Sequence, residues 1–217
     1  MERPRYFTPA EVAAHVYLGD LWVSFLGKVV DLSALTGRPE GDALLLPILD
    51  AAGTDISHWF DPTTRDVRRY VDPLTSCEGY YTPQGRFLNV PPPGPRSDWD
   101  TPLDPPWWRD PALQVGLLTA KSRWIELVNT LTLQRTRLQV CSEDTLDQIL
   151  LRYQRYNSNA YGYTWRYREA VLDMSKTLSD NGVADDDEEL DQLRMDRYIP
   201  AILLHFNEDF NDDLTEG

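Results

Sequence analysis

Apolar and polar positions alternate along two short runs, Leu21–Phe25 and Lys28–Asp31, with Gly27 between them. That pattern predicts two half-buried strands joined as a hairpin. Ahead of them, Thr8, Pro9 and Glu11 predict a helix start: a capping hydroxyl, a proline at the first position and a carboxylate at the third. Ser33 begins a predicted short helix. Asp42–Ala51 predicts another, whose Leu44, Leu45, Leu46, Ile48 and Leu49 read either as core or as the wall of a cofactor site. Further along, Ser122–Asn129 and Leu131–Val140 alternate as two strands with a turn near Asn129. Ser142, Glu143, Asp144 and Thr145 then form a helix N-cap cluster whose acids suit the positive end of the helix dipole. Leu146, Ile149, Leu150 and Tyr153 follow at helical spacing as one apolar stripe, and Tyr163–Arg168 and Pro200–Asn207 predict strands beyond it.

Between these two patterned stretches the periodicity stops. Eight of the sixteen prolines lie from Pro91 to Pro111, which excludes a regular helix or a central strand there. An extended, polyproline-like connector is expected. Its Trp99, Trp107 and Trp108 do not suit a solvated linker; they predict a segment pinned onto a domain of this chain or onto a partner. The organisation expected is therefore a first domain over residues 1–85, a connector over 86–114 and a second domain over 115–217.

The net charge of −14 is unevenly spread: from Asp185 onward there are twelve Asp or Glu against two Arg. An acidic chain repels phosphate backbones, so neither nucleic acid nor an anionic membrane is an expected partner. The run Asp185–Asp191 reads as a solvated insertion or as a contact for a basic partner. Cys77 and Cys141 show no metal-binding spacing and read as reduced thiols. The first residues carry no secretory pattern, and no apolar run approaches the roughly 18 residues a spanning helix needs, so no membrane association is expected. No phosphate-binding glycine loop, zinc-protease or nucleophile-elbow motif is present, and no enzymatic activity is expected.

The first 85 residues resemble the cytochrome b5 haem-binding family. The likeness is carried by YFTPAEVAAH, LWVSFLGKVVDLSAL and AAGTDISHWFDP. In that family two histidines clamp the iron. The resemblance places the first where Arg38 stands, in Arg38-Pro39-Glu40-Gly41, and the second five residues after Phe60, at Arg65. A guanidinium stays protonated and offers no lone pair, so haem is expected to be conditional or lost. Tyr70 falls near the second axial position and is a candidate haem ligand, with Arg68 and Arg69 beside it to favour a phenolate. His58 is the other candidate, although it precedes Phe60. His15 falls at a position that is ordinarily structural in that family, and His205 falls in a predicted strand of the second domain. A related branch of the family places a ligating tyrosine just after a Pro-Glu-Gly turn, but Ala43 occupies that place here.

The second domain resembles the ubiquitin-like β-grasp family in its order of two strands, helix and further strands. Its Leu172–Val183 segment lies ahead of the last strand, and no Gly-Gly follows that strand, so docking is implied and conjugation is not. The expected fold class is α+β, a cytochrome b5-like fold followed by a β-grasp domain. The whole combination, with PPWW in the joint and PAILLHFNEDFNDDLTE at the end, resembles a family of b5-like proteins of ciliated and flagellated cells. That resemblance implies a component of the axoneme, in the cytoplasmic cytoskeleton, with radial spoke stalk proteins as partners and a role in coordinated beating. The alternative it implies is a haem-dependent redox sensor in the same place.

Overall fold

The computed structural model describes residues 3–37, 42–74, 76–97, 105–185 and 198–207, and the chain divides into two units at Thr119. The first unit opens with β1 (Tyr6–Phe7) and α1 (Pro9–Val12). Thr8 caps α1 as expected: its hydroxyl accepts from Glu11 N, and Glu11 Oε2 accepts from Thr8 N at 2.8 Å. β2 (Val16–Tyr17), β3 (Asp20–Phe25) and β4 (Lys28–Asp31) follow, and Leu26 and Gly27 take positive φ to close the predicted hairpin. The helix expected from Asp42 is shorter than its leucine run: only α2 (Leu46–Asp50) is helical, with Pro47 in its first turn. β5 (Arg69–Val71) and β6 (Glu78–Tyr80) pair as a separate two-stranded ribbon, and β7 (Gln114–Leu118) ends the unit.

The main sheet of this unit runs β1-β7-β4-β3-β2. All its pairings are antiparallel except β1 with β7, which is parallel, Tyr6 opposite Leu117. The expected domain limits change accordingly. Residues 115–118 belong to the first unit's sheet, not to the second domain, because β4 offers its free edge to Gln114–Leu118. The connector is pinned onto this chain's own first unit. Phe87, Leu88, Val90, Trp107 and Trp108 are buried in one cluster with Leu21, Val23, Phe25, Leu45 and Ile48. Trp99 lies outside the described residues.

Gly116 shows how tightly β1 is drawn onto β7. A Cβ there would lie 2.4 Å from Arg5 O and 2.7 Å from Phe7 Cε2. Gly116→Ala should therefore displace β1 and destabilise the first unit by about 1–3 kcal/mol, as overpacking does. Thermal unfolding followed by circular dichroism measures this; an unchanged midpoint would mean that β1 is not held against β7.

The second unit holds β8 (Ser122–Asn129), β9 (Arg135–Cys141), α3 (Leu146–Tyr153), β10 (Tyr163–Tyr167), β11 (Ala170–Val171) and β12 (Ala201–Phe206). The sheet order is β11-β10-β12-β8-β9, with β12 parallel to β8 and the other pairs antiparallel. β9 begins four residues later than the alternation suggested. Leu131 and Leu133 instead lie in an exposed turn where Leu133 has φ of 60°, and Asn129 Oδ1 accepts from the backbone N–H groups of Leu131 and Thr132. Thr145 caps α3 through a capping box with Gln148. The stripe Leu146, Ile149, Leu150 and Tyr153 packs on Ile125, Leu127, Val140, Trp165, Ile202 and Leu204 of the sheet.

Candidate functional site

The segment that carries the b5-like motif Ala-Gly-Thr-Asp does structural work in this unit. Gly53 N donates to Trp22 O, Ser24 N to Thr54 O and Ile56 N to Ser24 O, so residues 53–56 dock along β3. Gly53 has φ of 74°, and a Cβ on it would meet Val16 Cγ1 at 2.6 Å. Asp55 accepts from the Ser24 hydroxyl at 2.9 Å and from Ser57 N at 3.0 Å. This frame delivers Trp59 and Phe60 into the interior, where they are 3% and 0% exposed.

In the family that this region resembles, the short helices and the Phe60 segment wall a haem crevice. Here the same walls close on the chain's own aromatic rings. Trp59 stacks on Phe87 with ring centroids 4.8 Å apart. Trp107 meets Phe25 at 5.8 Å and Phe60 at 5.9 Å edge-on, and Trp108 meets Phe87 at 5.8 Å. Asp66 locks the returning segment: its Oδ1 accepts from Trp108 Nε1 at 2.9 Å and its Oδ2 from Arg109 at 2.7 Å. Nothing in the sequence singled out Asp66. Only the Trp-Trp-Arg run of the joint hinted that an acceptor was needed.

The candidate ligands do not converge on this interior. His58 is exposed in a single 3-10 turn, Ser57–Trp59, with its Nε2 3.4 Å from Gln84 Nε2. Tyr70 is 45% exposed on β5, opposite Gly79, with its ring against Tyr81. It lines an open pocket of about 610 Å³ with Tyr80, Cys77, Arg86 and Pro91–Pro93, and His58 is not among the residues lining it. The arginines expected to attend Tyr70 have other partners: Arg68 Nε donates to Phe60 O, and Arg69 pairs with Glu78 and the Tyr80 hydroxyl. Arg65 is exposed in a turn at φ of 55°, closed by its N–H to Asp61 O. The backbone N–H groups of Thr64 and Thr63 in that turn hold the Asp61 carboxyl below its usual range. Arg38 and the turn after it lie outside the described residues.

The other two histidines lie elsewhere. His15 stacks on Trp22 at 3.8 Å and bonds Asp20 at 2.6 Å, and His205 lies on β12 of the other unit. Among the described residues no cluster of three or more His, Cys, Asp or Glu is placed to hold a metal ion. The described residues do not fit a haem held in the b5 manner: the crevice walls pack on Phe87, Trp107 and Trp108, and neither His58 nor Tyr70 lies among them. Of the acidic run, Asp185 alone is described; it pairs with Lys121 at 2.9 Å and with buried Arg123 at 3.6 Å. No helix among the described residues is long and apolar enough to cross a membrane.

Fold and site together define a mixed α/β chain whose first unit keeps a haem-protein frame packed with its own side chains. A Xenopus laevis protein called cytochrome b5 domain-containing protein 1 is 53% identical over 216 residues, 99% of this chain and 98% of its own length. The Homo sapiens protein of the same name is 52% identical over 214 residues, 98% of this chain and 92% of its own. The chain belongs to the cytochrome b5 domain-containing protein 1 family. No family model matches it. A designed protein based on ubiquitin aligns with 42% of the chain at 11% identity and a TM-score of 0.32, too slight a likeness to carry an argument.

Proposed function

We propose that this protein is a structural or regulatory component of the ciliary axoneme, associated with radial spokes and coordinated beating, and that its b5-like unit acts as a protein-interaction module. The observation that supports an interaction role over electron transfer is the filled interior, with Trp107 and Trp108 packed against Phe60 and Phe87. The likeness to ciliary b5-like proteins supports the location. For the second unit we adopt the β-grasp reading. Its support is topological: hairpin β8–β9, then α3 across the inner face, then β12 returning parallel to β8 in the middle of the sheet. No catalytic role is assigned.

The test has two parts. Antibody against the chain should label demembranated axonemes and co-precipitate radial spoke stalk proteins; a protein lost entirely with the detergent extract would sink the axonemal reading. The purified full chain titrated with ferric and ferrous haem should show no bis-imidazole bands. The rival reading, a conditional ferric-haem sensor, has the Tyr70 pocket in its favour. It requires a phenolate-type band that Tyr70→Phe abolishes.

A further inference from the structure

The outward face of the second unit's sheet carries a charge opposite to that of the whole chain. Burial settles which way its strands face, because Ile125, Leu127, Leu138, Val140, Trp165 and Leu204 all point into the core. Alternation then puts Trp124, Glu126, Arg135, Arg137, Arg166 and Leu203 on the other side. Register makes them neighbours. Arg135 lies opposite Val128, Val128 opposite Leu203, and Leu203 opposite Arg166. One row across four strands therefore reads cation, aliphatic, aliphatic, cation, with the ends about 14–15 Å apart at ordinary strand spacing. In the adjoining row Glu126 lies between Arg137 and Ala201.

The electrostatics are incomplete in one direction. Glu126 accepts from Arg135 at 2.9 Å and from Arg137 at 3.4 Å. Its side chain is 14% exposed, whereas those of both arginines are 67% exposed. A single carboxylate between two guanidinium forks leaves a net positive charge and donors over for a further acceptor. Arg166 is exposed at the far end of the row, and Trp124 is 45% exposed on the same face. Three arginines against one glutamate is a local excess of cations in a chain of net charge −14.

We propose that this face docks an acidic segment of a partner protein, whose carboxylates meet Arg135, Arg137 and Arg166 and whose apolar side chain lies over Leu203, beside the already buried Val128. Charge complementarity supplies the argument. The inference builds on the reading of this chain as an interaction protein, yet it concerns the second unit alone.

The full chain is titrated with the synthetic peptide acetyl-DEFDELDE-amide, followed by tryptophan fluorescence and by backbone amide shifts. Saturable binding is expected, with shifts confined to β8, β9, β10 and β12. Arg135→Glu with Arg137→Glu should weaken it at least about tenfold, and high salt should weaken it too. Both arginines pair with Glu126, so the double variant should also lower the unfolding midpoint; Arg166→Glu, which leaves that pairing intact, should weaken binding without that loss. No saturable binding, shifts elsewhere, or undiminished binding by the variant would overturn the proposal. Binding that emerges only after removal of residues 208–217 would also overturn it and assign the face to the chain's own acidic tail. A negative result here leaves axonemal labelling and the haem titration unaffected, so the two readings fail separately.

Discussion

Trp107→Ala should cost the first unit about 3–5 kcal/mol, the range for removing a buried large aromatic side chain. Trp107 is 2% exposed and touches Phe25, Phe60, Phe87 and Trp108. The vacated volume would lie among rings fixed by backbone on several elements, so little relaxation is expected. The loss is comparable to the whole stability of many domains, so much of the unit should unfold near body temperature. Urea unfolding followed by near-ultraviolet circular dichroism measures it. Trp107→Phe is the informative companion. The Trp107 Nε1 has no hydrogen-bond partner among the described residues, so phenylalanine forfeits only volume and should cost distinctly less. Equal stability of parent and Trp107→Ala would show that the joint is not part of this core.

Asp144→Ala should be comparably severe in the second unit, again about 3–5 kcal/mol. Asp144 is 1% exposed, and its Oδ2 accepts from Arg152 Nε at 2.7 Å and from Cys141 N at 3.2 Å. The Arg152 side chain is only 11% exposed, so removing Asp144 takes a close counter-charge from a cation with little access to water. A double variant, Asp144→Ala with Arg152→Met, separates the causes. It should recover part of the loss, because the stranded charge goes with the arginine. Denaturant midpoints for the parent, both single variants and the double variant close the cycle. A double variant as damaged as the sum of the singles would mean that the pair does not interact. The two units call for separate transitions to be followed, one probe for each, since a single midpoint for the whole chain is not well defined.

Local signals settle an element where one principle dominates. Ser122–Asn129 shows an uninterrupted alternation, and it is β8 to the residue. Thr8 and Thr145 each precede a glutamate or glutamine by three residues, and both make capping boxes. The misreadings came from choices that no window of sequence contains. Residues 115–118 look like any short apolar strand; their membership was decided by an open edge on β4 and by β1. Leu131 and Leu133 extended the alternation of β9, but Asn129 turned the chain first. The ribbon β5–β6 drew no attention because its residues are exposed or half-exposed and lack an apolar rhythm.

For the site, the resemblance to cytochrome b5 set the two expected ligand positions, and arginines stand at both. What fills the interior is half visible. The tryptophans demanded a surface to pack on, but nothing distinguished this chain's interior from a partner's. Tyr70 was chosen by sequence spacing, and spacing could not tell that β5 would lie in an exposed ribbon.

The parallel ladder between β1 and β7 has a consequence for the chain as it is made. Tyr6 pairs with Leu117, about 110 residues later, and Phe7 with Leu118. Ribosomes release about 5–20 residues each second, so the opening strand waits several seconds with its partner not yet synthesised. Through that interval the edge of β4 and the apolar rings of Trp59 and Phe60 are uncovered, since Trp107 and β7 are among the last parts of the first unit to emerge. A nascent chain in this state is a substrate for chaperones, and a messenger truncated before codon 119 yields a frame that cannot close.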